Sequence, residues 1–139
     1  MEITILFKRT SDFLKRIYIA ISFLIVAILI ASAEMGYITA KADMFETKIE
    51  NADRYMRKNE YAEAFKICKE AESDWDDSTK IIDMLLIHDY VDSVGMKISL
   101  MKSFAENQNY DMYFSESTAA KKELASIKES EYPNIDNLL

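Results

Sequence analysis

The chain has 139 residues, half of them apolar, and a formal net charge of −7. That charge is unevenly spread, because residues 1–16 hold four Lys/Arg and two Asp/Glu, whereas residues 34–139 hold 13 Lys/Arg and 22 Asp/Glu. So acidic a segment excludes nucleic-acid binding, which depends on Lys and Arg neutralising phosphates. With two glycines and one proline, the chain has too few turn residues for a sheet, and long helices are expected.

The first segment, residues 1–16, is basic and has the spacing of an amphipathic helix. Its apolar side chains fall on one side of a helical wheel and its charged ones on the other, with Ile5 as the exception. This pattern predicts a helix lying on the inner leaflet of a membrane. An ordinary basic flank with chance spacing is the alternative.

Residues 17–33 contain no charged side chain and are followed by Met35, Tyr37 and Ile38, which extend the apolar stretch. Seventeen helical residues span roughly 25 Å at ~1.5 Å per residue, near the short end of what crosses a bilayer core. Residues 17–38 are therefore predicted to be a single transmembrane anchor in contact with the lipid bilayer. Because the basic residues precede it, the N-terminus is expected in the cytoplasm and residues 39–139 outside it.

A cleaved signal peptide is the alternative to this anchor. Ala31-Ser32-Ala33 fits the small-x-small pattern of a cleavage site, and cleavage after Ala33 would release a secreted domain. The apolar run reaches Ile30 with no helix-breaking residue, which favours the retained anchor.

Residues 39–139 are expected to form an all-α domain. The periodicity and capping residues predict a first helix from about Tyr37 to Lys58, a second beginning after an Asn59 cap and ending near Glu72, and a third beginning after Ser73 or Asp74. That third helix is either continuous to a turn at residues 107–109 or divided by a bend near His88. A last helix is predicted over roughly residues 110–130, with Pro133 ending it.

A weak internal repeat appears at an offset of 49 residues. Ile49 then matches Ile98, and the aromatic Tyr61 after the first turn matches Tyr110 after the second. Each repeat is a helical hairpin, and two hairpins can bury their apolar faces on each other. The predicted fold is a single N-terminal transmembrane helix followed by an antiparallel helical bundle built from two helical hairpins. A tetratricopeptide array is rejected because its period is shorter and its glycine and proline positions are missing.

His88 is the only histidine, so any histidine chemistry depends on it. On a helix Asp92 shares its face and Asp89 lies beside it, and Trp75 is the only tryptophan. These four residues form the candidate interaction or ligand site. A zinc site needs about four N or S ligands, and catalysis needs a nucleophile or second base that no motif marks, so no metal, cofactor or catalytic residue is predicted.

Two other groups of reactive side chains receive structural interpretations. Cys68 lies on the inward face of its helix and is predicted to be buried, an intermolecular disulfide being the alternative. The acidic cluster is read as a solvated helix start, because its spacing does not match a calcium loop. Its members are Asp74, Asp76, Asp77 and Asp83.

Several short motifs, spread over nearly the whole chain, resemble the uncharacterised family catalogued as domain of unknown function 4363. They are Asn59-Glu60-Tyr61, Trp75, residues 86–93 (LIHDYVDS), Ser99-Leu100 and residues 134–139 (NIDNLL), whose Leu-Leu end departs slightly from the family pattern. The resemblance implies a short anchor, about 100 helical residues, and a spore-forming or related Gram-positive source. It also implies a membrane partner, and it supplies no activity.

Three functions are compatible with these sequence features. The first is a non-enzymatic interaction protein of the bacterial envelope that binds a membrane or envelope protein through the outer bundle, with homo-oligomerisation left open. The second is an extracytoplasmic sensor or binding module for a small ligand near His88 and Trp75. The third, a hydrolase built on His88, lacks the other residues that hydrolysis requires.

Overall fold

The computed structural model describes the backbone of residues 2–82 and 88–130 and the side chains of residues 13–80 and 90–129. These ranges contain helices and connections without any strand, which confirms the all-α prediction. The helices are α1 (Glu2–Arg57), α2 (Tyr61–Ile82), α3 (His88–Glu106) and α4 (Tyr110–Ser130). Pro133 and the tail after it lie outside the described residues.

The chain divides into two units, Met1–Gly36 and Tyr37–Leu139. In the first unit the large apolar side chains between Phe13 and Ile30 are between 38% and 72% exposed. Among the described residues, this stretch makes α1 the one helix whose length and composition would let it cross a membrane. A signal sequence near an N-terminus passes the same test.

The second unit has its own hydrophobic core, to which all four helices contribute. In α1 and α3 the buried side chains recur every three or four residues, as the apolar periodicity predicts. The two stripes are Ala42, Phe45, Ile49, Ala52 and Met56 in α1, and Val91, Val94, Ile98, Met101 and Ala105 in α3. The α2 stripe is Ala64, Cys68, Ala71, Trp75 and Ser78, and the α4 stripe is Tyr113, Ser117, Ala120, Leu124 and Ile127.

The predicted helix boundary at Ser73 and Asp74 is wrong, because α2 continues through both residues to Ile82. Ser and Asp are good helix caps, which is why they suggested a start. However, Ala71 and Trp75 on either side are both buried at helical spacing. A break between them would remove one of the two from the core, so tertiary burial outweighs the local capping preference.

The first turn also differs from the prediction. Asn59 is not the N-cap of α2 but the second residue after α1, with a positive φ of 59°. Its N–H bonds the carbonyl of Met56 at 3.0 Å, and the N–H of Glu60 bonds the carbonyl of Tyr55 at 3.0 Å. These two bonds are the Schellman motif, which satisfies carbonyls at a helix C-terminus. Asn is one of the few residues besides glycine that enter this backbone region readily.

The turn predicted at residues 107–109 is present and repeats the first turn 49 residues later. Gln108 has a φ of 55°. Its N–H bonds the carbonyl of Ala105 at 3.2 Å, and the N–H of Asn109 bonds the carbonyl of Phe104 at 2.9 Å. The side-chain oxygen of Asn109 then caps α4 by accepting the N–H of Met112 at 3.2 Å. The last helix begins and ends where it was predicted.

The offset of 49 residues relates core positions as well as the turns. Each residue of the α1 stripe corresponds to the residue of the α3 stripe 49 positions later. Each residue of the α2 stripe likewise corresponds to one of the α4 stripe, from Ala64 and Tyr113 to Ser78 and Ile127. Contacts between neighbouring helices repeat too, since the ion pair of Lys48 with Asp74 recurs as that of Lys97 with Glu123. The sequence repeat therefore reflects two similar pairs of helices.

Candidate functional site

Trp75 is a core residue, 3% exposed. Its indole N–H donates a hydrogen bond to the backbone carbonyl of Val91 at 3.2 Å. Its ring meets Phe45 edge-on, with centroids 4.8 Å apart. A Cβ added at Gly95 would lie 3.0 Å from the indole nitrogen, so the glycine lets the ring approach α3 closely. The tryptophan thus joins α1, α2 and α3.

The other three residues of the predicted site lie at or near the start of α3. His88 is its first residue, but the side chains of His88 and Asp89 lie outside the described residues. Asp92 is exposed, whereas Val91 beside it is buried. A ligand site around His88 and Trp75 therefore stays a prediction.

A buried polar cluster, which the sequence reading missed, connects α1 and α4. Asp53 is 3% exposed and accepts a hydrogen bond at 2.7 Å from the hydroxyl of Ser117, itself fully buried. The other carboxylate oxygen accepts the ammonium of Lys121 at 2.8 Å. Both oxygens of a buried charge are thus partnered, as burial requires. One feature of the sequence indicates this cluster: the acidic Asp53 lies four positions after the core residue Ile49.

Cys68 is 2% exposed, as predicted, and its sulfur lies 3.9 Å from the hydroxyl of the buried Tyr113. Loss of hydration on burial raises the pKa of the Cys68 thiol to about 12. Burial likewise raises the pKa of Tyr113 above its ordinary value. Since the thiolate is the nucleophile, a thiol so rarely ionised near neutral pH is suited to packing rather than to chemistry.

The acidic cluster gives no metal site within the described side chains, where no three His, Cys, Asp or Glu are placed to share an ion. Asp74 pairs with Lys48 of α1. Asp77 pairs with Lys80 at 3.3 Å on the exposed face of α2. Asp74 and Asp77 therefore serve as partners for lysines, and Asp83 lies outside the described residues.

Two surface clefts flank the last turns of α1. A cleft of about 320 Å³ lies toward α2, and one of about 520 Å³ lies toward α4. Asn51 and Arg54 line both clefts. The smaller cleft is lined by Asn51, Arg54, Tyr55, Lys58 and Ile67. The larger is lined by Thr47, Glu50, Asn51, Asp53, Arg54, Arg57 and Lys121.

The outward face of α3 differs from its counterpart on α1. Between Met96 and Ser103 the side chains on this outward face are uncharged, and Met96 is 59% exposed. Lys97 and Lys102 flank this face and turn to partners on neighbouring helices, Glu123 at 4.0 Å and Glu72. The face consists of Met96, Ser99, Leu100 and Ser103, of which Ser99 lies at the edge and bonds Glu72 of α2. The matching residues of α1 are Thr47, Glu50, Asn51 and Arg54, two of them charged.

The described structure thus defines a class: an all-α protein with a helical core unit and one long apolar helix near its N-terminus. A family model, "Domain of unknown function (DUF4363)", matches residues 33–138. The chain belongs to this family, which confirms the resemblance seen in its sequence. No curated protein and no solved structure matches the chain.

Proposed function

We propose that this protein is a non-enzymatic, membrane-anchored interaction protein of the bacterial cell envelope. Residues 17–38 hold it in the cell membrane with the N-terminus in the cytoplasm. Residues 39–139 form an antiparallel bundle of two helical hairpins outside the cytoplasm. The bundle binds a membrane or envelope protein through the outward face of α3.

The anchor is supported by the exposure of the apolar helix. Phe23 is 72% exposed, and Leu29 and Ile30 are 63% exposed. Apolar side chains exposed on every face of so long a helix are costly in water and favourable in lipid. Lys8, Arg9, Lys15 and Arg16 precede the apolar run and favour a cytoplasmic N-terminus.

The observation that carries the proposed interaction is the uncharged outward face of α3, named above. Charged side chains are depleted at the centre of protein interfaces, and methionine is enriched there. In the matching hairpin the same surface of α1 carries Glu50 and Arg54, so the fold itself does not require an uncharged face. Because the anchor confines the protein to the membrane, the partner is expected in the membrane or the envelope.

A photo-crosslinking amino acid at Met96 tests this interaction in intact cells. We expect one discrete crosslinked protein from position 96. The same probe at the exposed Glu70 of α2 should give none, since that surface is charged. Equal products from both positions, or only unspecific products, would contradict the proposal.

A pair of methionine variants supplies a second test. Met96→Lys should reduce partner capture roughly tenfold, because a lysine must lose hydration to enter a protein interface. Met112→Lys is the matched control, since Met112 is 46% exposed on α4, outside the proposed face. Equal loss of capture in both variants would show that the α3 face is not the binding surface.

A further inference from the structure

The cations at the end of α1 are notable in an acidic domain. Arg54, Arg57 and Lys58 occupy the last turn of α1 and the residue after it, and all three are exposed. Within the described side chains, none of the three has an Asp or Glu within ion-pair distance, whereas Lys48, Lys97, Lys102, Lys121 and Lys128 each have one. Among the described side chains, these three cations therefore form no ion pair between helices.

A helix C-terminus favours nearby cations, which offers a purely structural explanation. The repeat allows that explanation to be tested, because α3 ends in the same turn with the same hydrogen bonds. The positions matching Arg54, Arg57 and Lys58 are Ser103, Glu106 and Asn107. The last turn of α3 contains no basic residue. The turn therefore forms without cations, and their presence on α1 needs another reason.

The smaller cleft has the composition of an anion site. Its five lining residues include two cations, the amide of Asn51 and the phenol of Tyr55, and no carboxylate. The side chain of Asn51 accepts a hydrogen bond from the guanidinium of Arg54. The ammonium of Lys58 lies 6.0 Å from the ring centre of Tyr55. Ile67 and Tyr55 pack on the core and supply an apolar wall.

Arginine matches a phosphoryl group in shape as well as in charge. A guanidinium has five N–H donors in a planar fork, which fits two oxygens of a phosphoryl group, and lysine adds a second positive charge. The cleft of about 320 Å³ is large enough for a phosphoryl group and a small organic substituent. The matching residues of the second hairpin are Leu100, Ser103, Phe104, Asn107 and Glu116, which include no cation.

We infer that the cleft between α1 and α2 binds a phosphoryl group, with Arg54 and Lys58 as its ligands. The group is a phosphate ester with a small organic substituent lying against Tyr55 and Ile67. Arg57 adds positive potential from the neighbouring cleft, where its guanidinium stands 5.1 Å from the ring centre of Phe114. This inference does not depend on the proposed protein partner.

The test titrates the full chain in phosphatidylcholine nanodiscs with sn-glycerol 3-phosphate and, separately, with inorganic phosphate. Binding is followed by calorimetry and by the NMR signals of the arginine Nε–H groups. We expect saturable binding in the millimolar range or tighter, a shift of the Arg54 signal, and weaker binding as NaCl screens the charges. No saturable binding of either compound would overturn the inference.

A double variant and a charge-matched control locate the site. Arg54→Gln with Lys58→Gln should weaken binding at least tenfold, or about 1.4 kcal/mol. Lys69→Gln with Lys122→Gln removes the same charge from exposed positions on α2 and α4 and should leave binding unchanged. Because all four side chains are exposed, circular dichroism should show the same helix content in each variant. Equal weakening by both double variants would mean unspecific charge attraction and overturn the inference.

A lipid source of the phosphoryl group is distinguished in a parallel arm. Binding of both soluble compounds in phosphatidylcholine nanodiscs supports a ligand free in solution. If neither binds, and only nanodiscs with phosphatidylglycerol shift the Arg54 signal, the inferred site for a soluble phosphate ester is overturned in favour of a lipid headgroup.

Discussion

At the scale of single residues, Trp75 packs closely against Gly95. A Cβ at position 95 would lie 3.0 Å from Nε1 and 3.1 Å from Cδ1 of the indole. The ring cannot easily move away, because its N–H is bonded to Val91 and it packs against Phe45 in a T-shaped contact. Glycine is therefore required by the tryptophan rather than by the backbone of α3.

We predict that Gly95→Ala lowers the free energy of unfolding by about 1 kcal/mol, although alanine is the better helix former by about that amount. The measurement is urea unfolding followed by tryptophan fluorescence. Gly36→Ala is the matched control, since nothing lies within 4 Å of its added Cβ. Equal or greater stability of Gly95→Ala would contradict the close packing described for Trp75.

Gln108 is a second residue whose preferred backbone conformation differs from the one that it adopts. With a φ of 55° it occupies a backbone region that costs most residues roughly 1 kcal/mol or more. We predict that Gln108→Gly raises the free energy of unfolding by about 0.5–1 kcal/mol, measured by urea unfolding. Asn59→Gly should gain less, because asparagine already tolerates its φ of 59°. A loss of stability in Gln108→Gly would contradict the assigned turn.

At the scale of elements, two ion pairs at matching positions have opposite polarity. On α1 and α4, Asp53 pairs with Lys121 at 2.8 Å. On α3 and α2 the matching pair is Lys102 with Glu72. The helices α1 and α2 therefore contribute both acids, and α3 and α4 contribute both lysines. Two copies of either helix pair would bring like charges together at these positions, so charge favours contact between the unlike pairs.

Charge reversal at the more exposed pair tests this. Lys102→Glu should lower the free energy of unfolding by roughly 1 kcal/mol, because it places two carboxylates together in a half-buried position. Adding Glu72→Lys should recover most of the loss, since the pair is then restored with opposite polarity. Urea unfolding monitored by circular dichroism measures both. A double variant no more stable than Lys102→Glu would show that the ion pair does not determine how α2 and α3 pack.

The pH dependence of the same pair has a definite sign. Burial alone would raise the pKa of Glu72, but hydrogen bonds from Lys102 and Ser99 and the charge of Lys102 outweigh it and lower the pKa below 4.5. A carboxyl whose folded pKa is lowered stabilises the fold above its unfolded pKa and loses this effect as pH falls through the folded value. The cost of Lys102→Met should therefore be larger at pH 7 than at pH 3.

At the scale of the whole molecule, the two units differ in what their apolar side chains meet. The buried core runs from Ile38 to Ile127, whereas the apolar side chains from Phe13 to Ile30 are exposed. The second unit buries its own apolar surface, whereas the first leaves its apolar side chains exposed. This difference is what the proposed membrane anchor would explain.

The proposed topology predicts which introduced cysteines can be labelled in intact cells. A membrane-impermeant maleimide should label Lys122→Cys on the exposed face of α4, because that residue is placed outside the cytoplasm. Lys8→Cys should react only after the cells are permeabilised. The native thiol should contribute little, since Cys68 is 2% exposed and its pKa is raised to about 12. The reverse pattern would place the bundle in the cytoplasm.

Local sequence was enough to predict the helical class, the family, the apolar segment, the second turn and the stripes of α1 and α3. These features follow from local chemistry: few turn residues, uncharged residues 17–33, and apolar spacing of three and four. The continuation of α2 through Ser73 and Asp74 could not be predicted in this way, because it depends on the burial of Trp75, which outweighs the capping preference. The tertiary structure was also needed to show that Asp53 pairs with Lys121, and that the cations around Arg54 have no acidic partner among the described side chains. Whether a charge has a partner depends on neighbouring helices, which residues distant in the sequence supply.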